Sequence, residues 1–139
     1  MMKFVYAEWY NRSVKSGCVK EDFTPQVCFN AGVLIEKLNA LGFKPARVFS
    51  SCLRSKQSQI RIYKEKGVTD ESKIPFGSCH LTGDGVDIAD PDGKLGAWLK
   101  ENKKRLEELG LYVEDLKYTP GWCHIQQRAP KSGRRFFIP

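Results

Sequence analysis

Two short and distant segments carry the only two histidines of this 139-residue chain. His80 lies in the segment 78–87, SCHLTGDGVD, and His124 lies in the segment 122–126, WCHIQ. Two neutral imidazoles and one carboxylate make a three-ligand zinc set that leaves a fourth position open, as in catalytic zinc sites. If Asp87 supplies the carboxylate, the fold must bring the two segments together.

The residues around Asp87 predict how this convergence is reached. Gly83 and Gly85 allow the chain to turn sharply and return between His80 and Asp87. The apolar run 85–89 predicts a buried strand, in which an unpaired carboxylate is costly and needs a cation or several donors. In an extended strand, alternate residues share one face. The aromatic ring of Trp122, the imidazole of His124 and the amide of Gln126 would therefore line one cleft.

Hydrophobic periodicity and turn residues predict an α+β fold with a mainly antiparallel sheet and about three helices, in one domain spanning 1–139. Thr24 and Ser55 are typical helix caps, Asp92 is a third, and the polar segment 67–78 reads as a loop. The expected helices are 25–41, 56–66 and 93–109, and the expected strands are 47–50, 85–89, 111–114, 122–126 and 134–138.

Charge and cysteine content narrow the classes of function. The net charge of +7 favours a polyanionic partner, such as nucleic acid, anionic lipid or an acidic cell-wall polymer. Five cysteines without a C-x-x-C pair argue against a four-thiolate zinc knot and a full disulfide framework. Cys79 and Cys123 adjoin the expected ligands, so a cysteine-containing site is an alternative, although Cys123 would point away from His124 on a strand.

Three motifs in this order resemble the zinc D-alanyl-D-alanine carboxypeptidase family. Along the chain they are SxxRS at 51–55, the SxHxxGxGxD pattern at 78–87, and WxH at 122–124. The family includes the vancomycin-resistance dipeptidases and several phage endolysins, and it shares its fold with the Hedgehog signalling domain. The likeness covers roughly residues 45–139, and the ending at 130–136 is like that of small phage-encoded members.

The resemblance implies a Hedgehog/DD-peptidase-like fold with Zn²⁺ held by His80, Asp87 and His124. It also implies that Arg54 binds a substrate carboxylate or the developing oxyanion, a role suited to its planar fork of donors. Ser78 would line the cleft.

The resemblance does not directly identify a catalytic base in this chain. Many relatives place an acid three residues before the second histidine, where this chain has Gly121. The nearby acids are Glu114 and Asp115, which could also be solvated loop charges. If 111–114 pairs with 122–126, Glu114 could lie opposite Trp122 and on the face of His124, so we favour Glu114 over Asp115.

These observations give three hypotheses. The first is a zinc peptidase that cuts peptidoglycan peptides at D-Ala-D-Ala or L-Ala-D-Glu. It would be made in the cytoplasm, because the chain has no apolar run suited to a signal peptide or a membrane span, and released to the wall by phage lysis. The second is a Hedgehog-like, zinc-binding module without turnover, which Gly121 favours. The third, which we place last, is nucleic-acid binding through the basic aromatic tail 134–137.

Overall fold

A computed structural model describes residues 1–139 as an α+β fold. Three short 3-10 turns, Lys20–Asp22, Glu71–Lys73 and Leu116–Tyr118, add to the regular elements. The helices are α1 (Tyr6–Lys15), α2 (Pro25–Asn39), α3 (Lys56–Glu65), α4 (Cys79–Thr82), α5 (Lys94–Glu101) and α6 (Lys103–Leu109). The strands are β1 (Phe49–Ser51), β2 (Gly85–Ala89), β3 (Tyr112–Glu114), β4 (Trp122–Gln126) and β5 (Phe136–Phe137).

The five strands form one sheet in the order β1-β2-β4-β3-β5. Three of the neighbouring pairs are antiparallel, and β3 pairs with β5 in parallel. The prediction of an α+β fold with a mainly antiparallel sheet is therefore confirmed. The sheet is nevertheless mixed, because the last strand runs in the same direction as β3.

The prediction of about three helices is wrong, since the chain forms six. The sequence reading missed α1 because its apolar side chains do not form one buried stripe. Trp9 and Ser13 face the core, whereas Tyr6, Tyr10 and Val14 are exposed. It also missed α4, which lies where the loop 67–78 ends.

The third predicted helix is divided into α5 and α6 at Asn102, whose side-chain amide donates to the carbonyl of Trp98. The N-terminal cap of this helix also differs from the predicted one, Asp92. Asp92 accepts from the backbone N–H of Lys94, but the buried carboxylate of Asp90 accepts from both Leu95 and Gly96. Asp90 therefore satisfies more of the free N–H groups at this helix start than Asp92 does.

One face of the sheet packs against helices to form the hydrophobic core. The core joins Val86, Ile88, Val113, Cys123 and Ile125 of the sheet with apolar residues of the helices, including Leu34, Leu38, Leu95, Leu99 and Leu106. Because side chains alternate along a strand, the residues between these core positions are directed to the other face. None of the helices is both long enough and apolar enough to cross a lipid bilayer.

Candidate metal centre

Strand register places Asp87 and His124 side by side. β2 and β4 pair so that these two residues are direct cross-strand partners, and their side chains lie on the same face of the sheet. The Nδ1 atom of His124 is 2.9 Å from Oδ1 of Asp87. Two of the three expected ligands are thus brought together by ordinary antiparallel pairing.

His80 reaches the same carboxylate from the short helix α4. Ser78 caps this helix by accepting from the backbone N–H of His80, and Gly83 ends it with a φ of 81°. A Cβ atom at Gly83 would lie 2.5 Å from the carbonyl oxygen of Val27, so only glycine fits this turn. The helix directs Nε2 of His80 to within 3.2 Å of Oδ1 of Asp87.

In each histidine, one ring nitrogen faces Asp87 and the other makes a hydrogen bond elsewhere. The second hydrogen bond determines whether the nitrogen facing Asp87 carries a lone pair. Nδ1 of His80 is 2.9 Å from the carbonyl oxygen of Cys52, which can only accept, so Nδ1 carries the proton. Nε2 of His124 is 2.8 Å from Oε1 of Gln126. The amide nitrogen of Gln126 donates to the carbonyl of Arg128 at 2.6 Å, which fixes Oε1 towards His124. In their neutral forms both histidines therefore present a lone pair to Asp87.

Three lone-pair atoms thus converge on one point, within 4.8 Å of one another. Such an arrangement is unfavourable unless a cation or bound protons occupy it. The separations of 3.2 and 2.9 Å are close to the roughly 3.3 Å between ligand atoms of a tetrahedral ion with bonds of about 2.0 Å. His80, Asp87 and His124 therefore form a group that could hold a divalent metal ion, and this donor set suits zinc among other transition metals.

The charges of the three groups are strongly linked. Burial alone would raise the pKa of Asp87, but hydrogen bonds from His124 and His80 lower it to about 2. Burial alone would lower the pKa of His124, yet its hydrogen bond to Asp87 raises it. Asp87 and His124 thus each favour the charged form of the other.

Glu114 lies on the same face of the sheet as this group, whereas Asp115 does not face it. The β3–β4 register pairs Val113 with Ile125, so continuing it by one residue sets Glu114 opposite His124. The prediction that Glu114 would lie opposite Trp122 is therefore wrong by two residues, although the predicted face is right. Asp115 instead accepts from the backbone N–H of Lys117 and begins a 3-10 turn.

Burial raises the pKa of Glu114, while the neighbouring His124 opposes this change. The side chain is half-buried at the edge of a cleft with a volume of about 680 Å³, which also contains the three converging residues. A carboxyl group with a raised pKa beside such a centre can exchange protons near neutral pH more readily than an exposed one.

All four residues predicted to contact a substrate line this cleft: Arg54, Ser78, Trp122 and Gln126. The guanidinium of Arg54 donates to Oε1 of Gln59 at 2.9 Å, and Gln59 in turn donates to the carbonyl of Pro75. The sequence analysis missed Gln59, which is the one buried residue of α3 although it is polar. It also missed three basic residues of the cleft, Lys66, Arg128 and Lys131.

The cysteine-containing alternative to the metal site is not formed. All five cysteines are free, and Cys79 and Cys123 are not among the converging ligand atoms. Cys123 lies on the core face of β4 with its sulfur 3.6 Å from Asp90. In the basic tail, Phe137 is buried and Arg135 stacks over the ring of Tyr112, whereas Arg134 is exposed and Phe136 is half-buried.

Comparison of the chain with protein-family models, curated protein sequences and solved structures gives no match.

Proposed function

We propose that the protein is a zinc-dependent peptidase that hydrolyses peptide bonds of bacterial peptidoglycan and has a Hedgehog/DD-peptidase-like fold. The observation that carries this proposal is the convergence of His80, Asp87 and His124 at a cleft that also contains Glu114. When bound, zinc supplies a nucleophilic water near neutral pH and polarises the carbonyl under attack. The resemblance of the three motifs to the zinc carboxypeptidases supplies the substrate class.

Glu114 is the proposed general base and acid. It would accept a proton from the attacking water and then donate it to the leaving amine. Its raised pKa and its position on the face of His124 support this role. The carboxylate of Asp115 is instead engaged with the backbone of the following turn.

Arg54 is the proposed binding residue for a substrate carboxylate. Its hydrogen bond to the buried Gln59 holds the guanidinium at the cleft, and Lys66, Arg128 and Lys131 make the surroundings basic. Peptidoglycan stem peptides carry free carboxylates, so this charge suits them. Ser78 and Trp122 would contact the peptide, and the bond cleaved would be D-Ala-D-Ala or L-Ala-D-Glu. Release to the cell wall by phage lysis belongs to the same proposal.

The proposal is tested by metal analysis and by digestion of purified peptidoglycan with mass spectrometry of the products. We expect about one zinc per chain, a new peptide terminus, and loss of zinc in His124→Ala. Glu114→Gln should lower the rate by about 10²–10⁴-fold at equal zinc occupancy. Asp115→Asn is the matched control and should change the rate little.

A zinc-loaded protein that cleaves no bond would defeat the peptidase proposal. One observation favours a second candidate, a binding module without turnover: Gly121, at the position of the acid in many relatives, is an exposed turn residue with no side chain. That candidate predicts stoichiometric zinc and retained affinity for cell-wall fragments. It also predicts that Glu114→Gln leaves this affinity unchanged.

A further inference from the structure

We propose that Gln126 is a positioning residue for the metal, acting through His124 rather than on the substrate. In this view its side chain holds the His124 ring with Nδ1 free for the ion, and its neutral amide keeps Asp87 as the only carboxylate hydrogen-bonded to the histidines. This inference rests on the zinc centre of the proposed function and adds a role for Gln126.

The contacts of Gln126 leave its amide only one orientation. The side chain is buried, with 8% of the residue exposed. Its nitrogen donates to the carbonyl of Arg128, so its oxygen must face the imidazole, and it lies 2.8 Å from Nε2 of His124. A backbone carbonyl cannot donate, so a flipped amide would lose the hydrogen bond to Arg128 and place two acceptor oxygens against each other.

The consequence for His124 is a fixed ring orientation. The N–H at Nε2 donates to Gln126, and the other ring nitrogen points at Asp87. Histidines that bind metals usually donate their second N–H to a carboxylate, a carbonyl or water, and losing that partner costs about 10–100-fold in metal affinity. Here an amide oxygen is the partner, as the carbonyl of Cys52 is for His80.

The choice of an amide also sets the charge of the centre. Asp87 is the only acid hydrogen-bonded to the two histidines, so a divalent ion held by these three ligands keeps a net charge of +1. A carboxylate at position 126 would remove that charge and increase the basicity of His124. We therefore expect Gln126→Glu to bind zinc at least as tightly as the natural protein.

The experiment measures zinc affinity by competition with a chelator in the full chain, for Gln126→Met, Gln126→Glu and Gln127→Met. Gln126→Met removes the acceptor at similar size and should weaken zinc binding about 10–100-fold. The matched control is the next residue, whose side chain bonds to Asn30 and Asp84 and does not touch His124. Gln127→Met should keep the natural affinity within about twofold, a smaller change than loss of an outer partner gives.

Proton NMR of the zinc-loaded protein provides a readout that a general packing defect would not move. The two histidines should give two slowly exchanging imidazole N–H signals, one at Nδ1 of His80 and one at Nε2 of His124. Gln126→Met should remove or shift the His124 signal and leave the His80 signal in place. Gln126→Glu should keep both.

Two results would overturn the inference. One is natural zinc affinity and an unchanged His124 signal in Gln126→Met. The other is an equal loss of affinity in Gln126→Met and Gln126→Glu, since the acceptor is absent in the first and present in the second. Failure of the natural protein to bind zinc would instead reject the proposed function, so the two failures are distinguishable.

Discussion

Strands β2 and β4 contribute to both faces of the central sheet, and the two faces differ in character. On one face, Val86 and Ile88 of β2 and Ile125 of β4 are fully buried in the hydrophobic core. On the other, Asp87 and His124 stand beside each other at the cleft. Neighbouring residues in the chain therefore experience opposite environments.

The comparison teaches that strand register, rather than residue type alone, makes the candidate metal centre. A slip of one residue in the β2–β4 pairing would direct Asp87 into the core and Ile88 towards the cleft. Burying the uncompensated carboxylate would cost several kcal/mol, roughly, so the apolar face strongly disfavours that register. The core thus fixes the geometry of the polar face.

Exchanging adjacent residues of β2 for alanine is the strongest test of this division. Asp87→Ala should weaken zinc binding by more than about 100-fold, since even an outer partner of a ligand is worth about 10–100-fold. Ile88→Ala should instead lower the free energy of unfolding by about 2–5 kcal/mol because it leaves a cavity. Urea unfolding and metal analysis measure both quantities in both variants.

The matched pair is informative because the two positions share a strand and differ only in face. Zinc stoichiometry near one in Ile88→Ala, measured where the variant is folded, is the expected control. Loss of zinc from that folded variant, or full zinc binding in Asp87→Ala, would contradict the assignment of the two faces.

Gly85 lies at the edge of the polar face and tests how closely the centre is packed. Its backbone φ is not positive, so the turn does not require glycine there. A Cβ atom would lie 2.7 Å from Cβ of Cys79 and 3.1 Å from Cε1 of His124. Gly85→Ala should therefore lower the free energy of unfolding by about 1–3 kcal/mol and weaken zinc binding, measured as above.

Gly32 in α2 is the control for this substitution, since no atom lies within 4 Å of a Cβ built there. Gly32→Ala should raise the free energy of unfolding by about 0.5–1 kcal/mol through helix propensity alone. If Gly85→Ala behaves like Gly32→Ala, close packing around His124 is not what selects glycine at position 85.

Local patterns were sufficient for the parts of the fold and site that depend on sequence spacing. Alternation in 122–126 correctly predicted that Trp122, His124 and Gln126 share a face, and the capping residues Thr24 and Ser55 correctly marked two helix starts. The convergence of His80, Asp87 and His124 was also predicted, because few arrangements satisfy a carboxylate within an apolar strand.

Other features depend on contacts between distant segments and leave no local pattern. The exact β3–β4 register, and hence the partner of Glu114, follows from packing of the whole sheet. The close approach that requires glycine at position 85 depends on Cys79 and His124, whereas the sequence suggested a turn. The hydrogen bond from His124 to Gln126 was missed because alternation predicts a shared face but not a contact.

The smallest expected effect is the change with pH in the free energy of unfolding of the metal-free protein. This change reports the charges of Asp87 and His124 on the polar face. The pKa of Asp87 is lowered from 3.8 to about 2 in the folded state, so its contribution to stability is present above about pH 4 and is lost as pH falls towards 2. Each pKa unit is worth about 1.4 kcal/mol, and 13% exposure of the side chain reduces the effect, so we expect about 1–2 kcal/mol.

His124 acts in the opposite direction, because its pKa is raised in the folded state. Its contribution is present below about pH 6.5 and is lost as pH rises through the folded pKa. The pair therefore stabilises the metal-free protein most between about pH 4 and 6.5. Urea unfolding measured below, within and above this range should show an acid and an alkaline limb, and Asp87→Asn should weaken both. Zinc should reverse the alkaline limb, since the ion binds the deprotonated imidazoles and replaces the protons at the point where the three side chains meet.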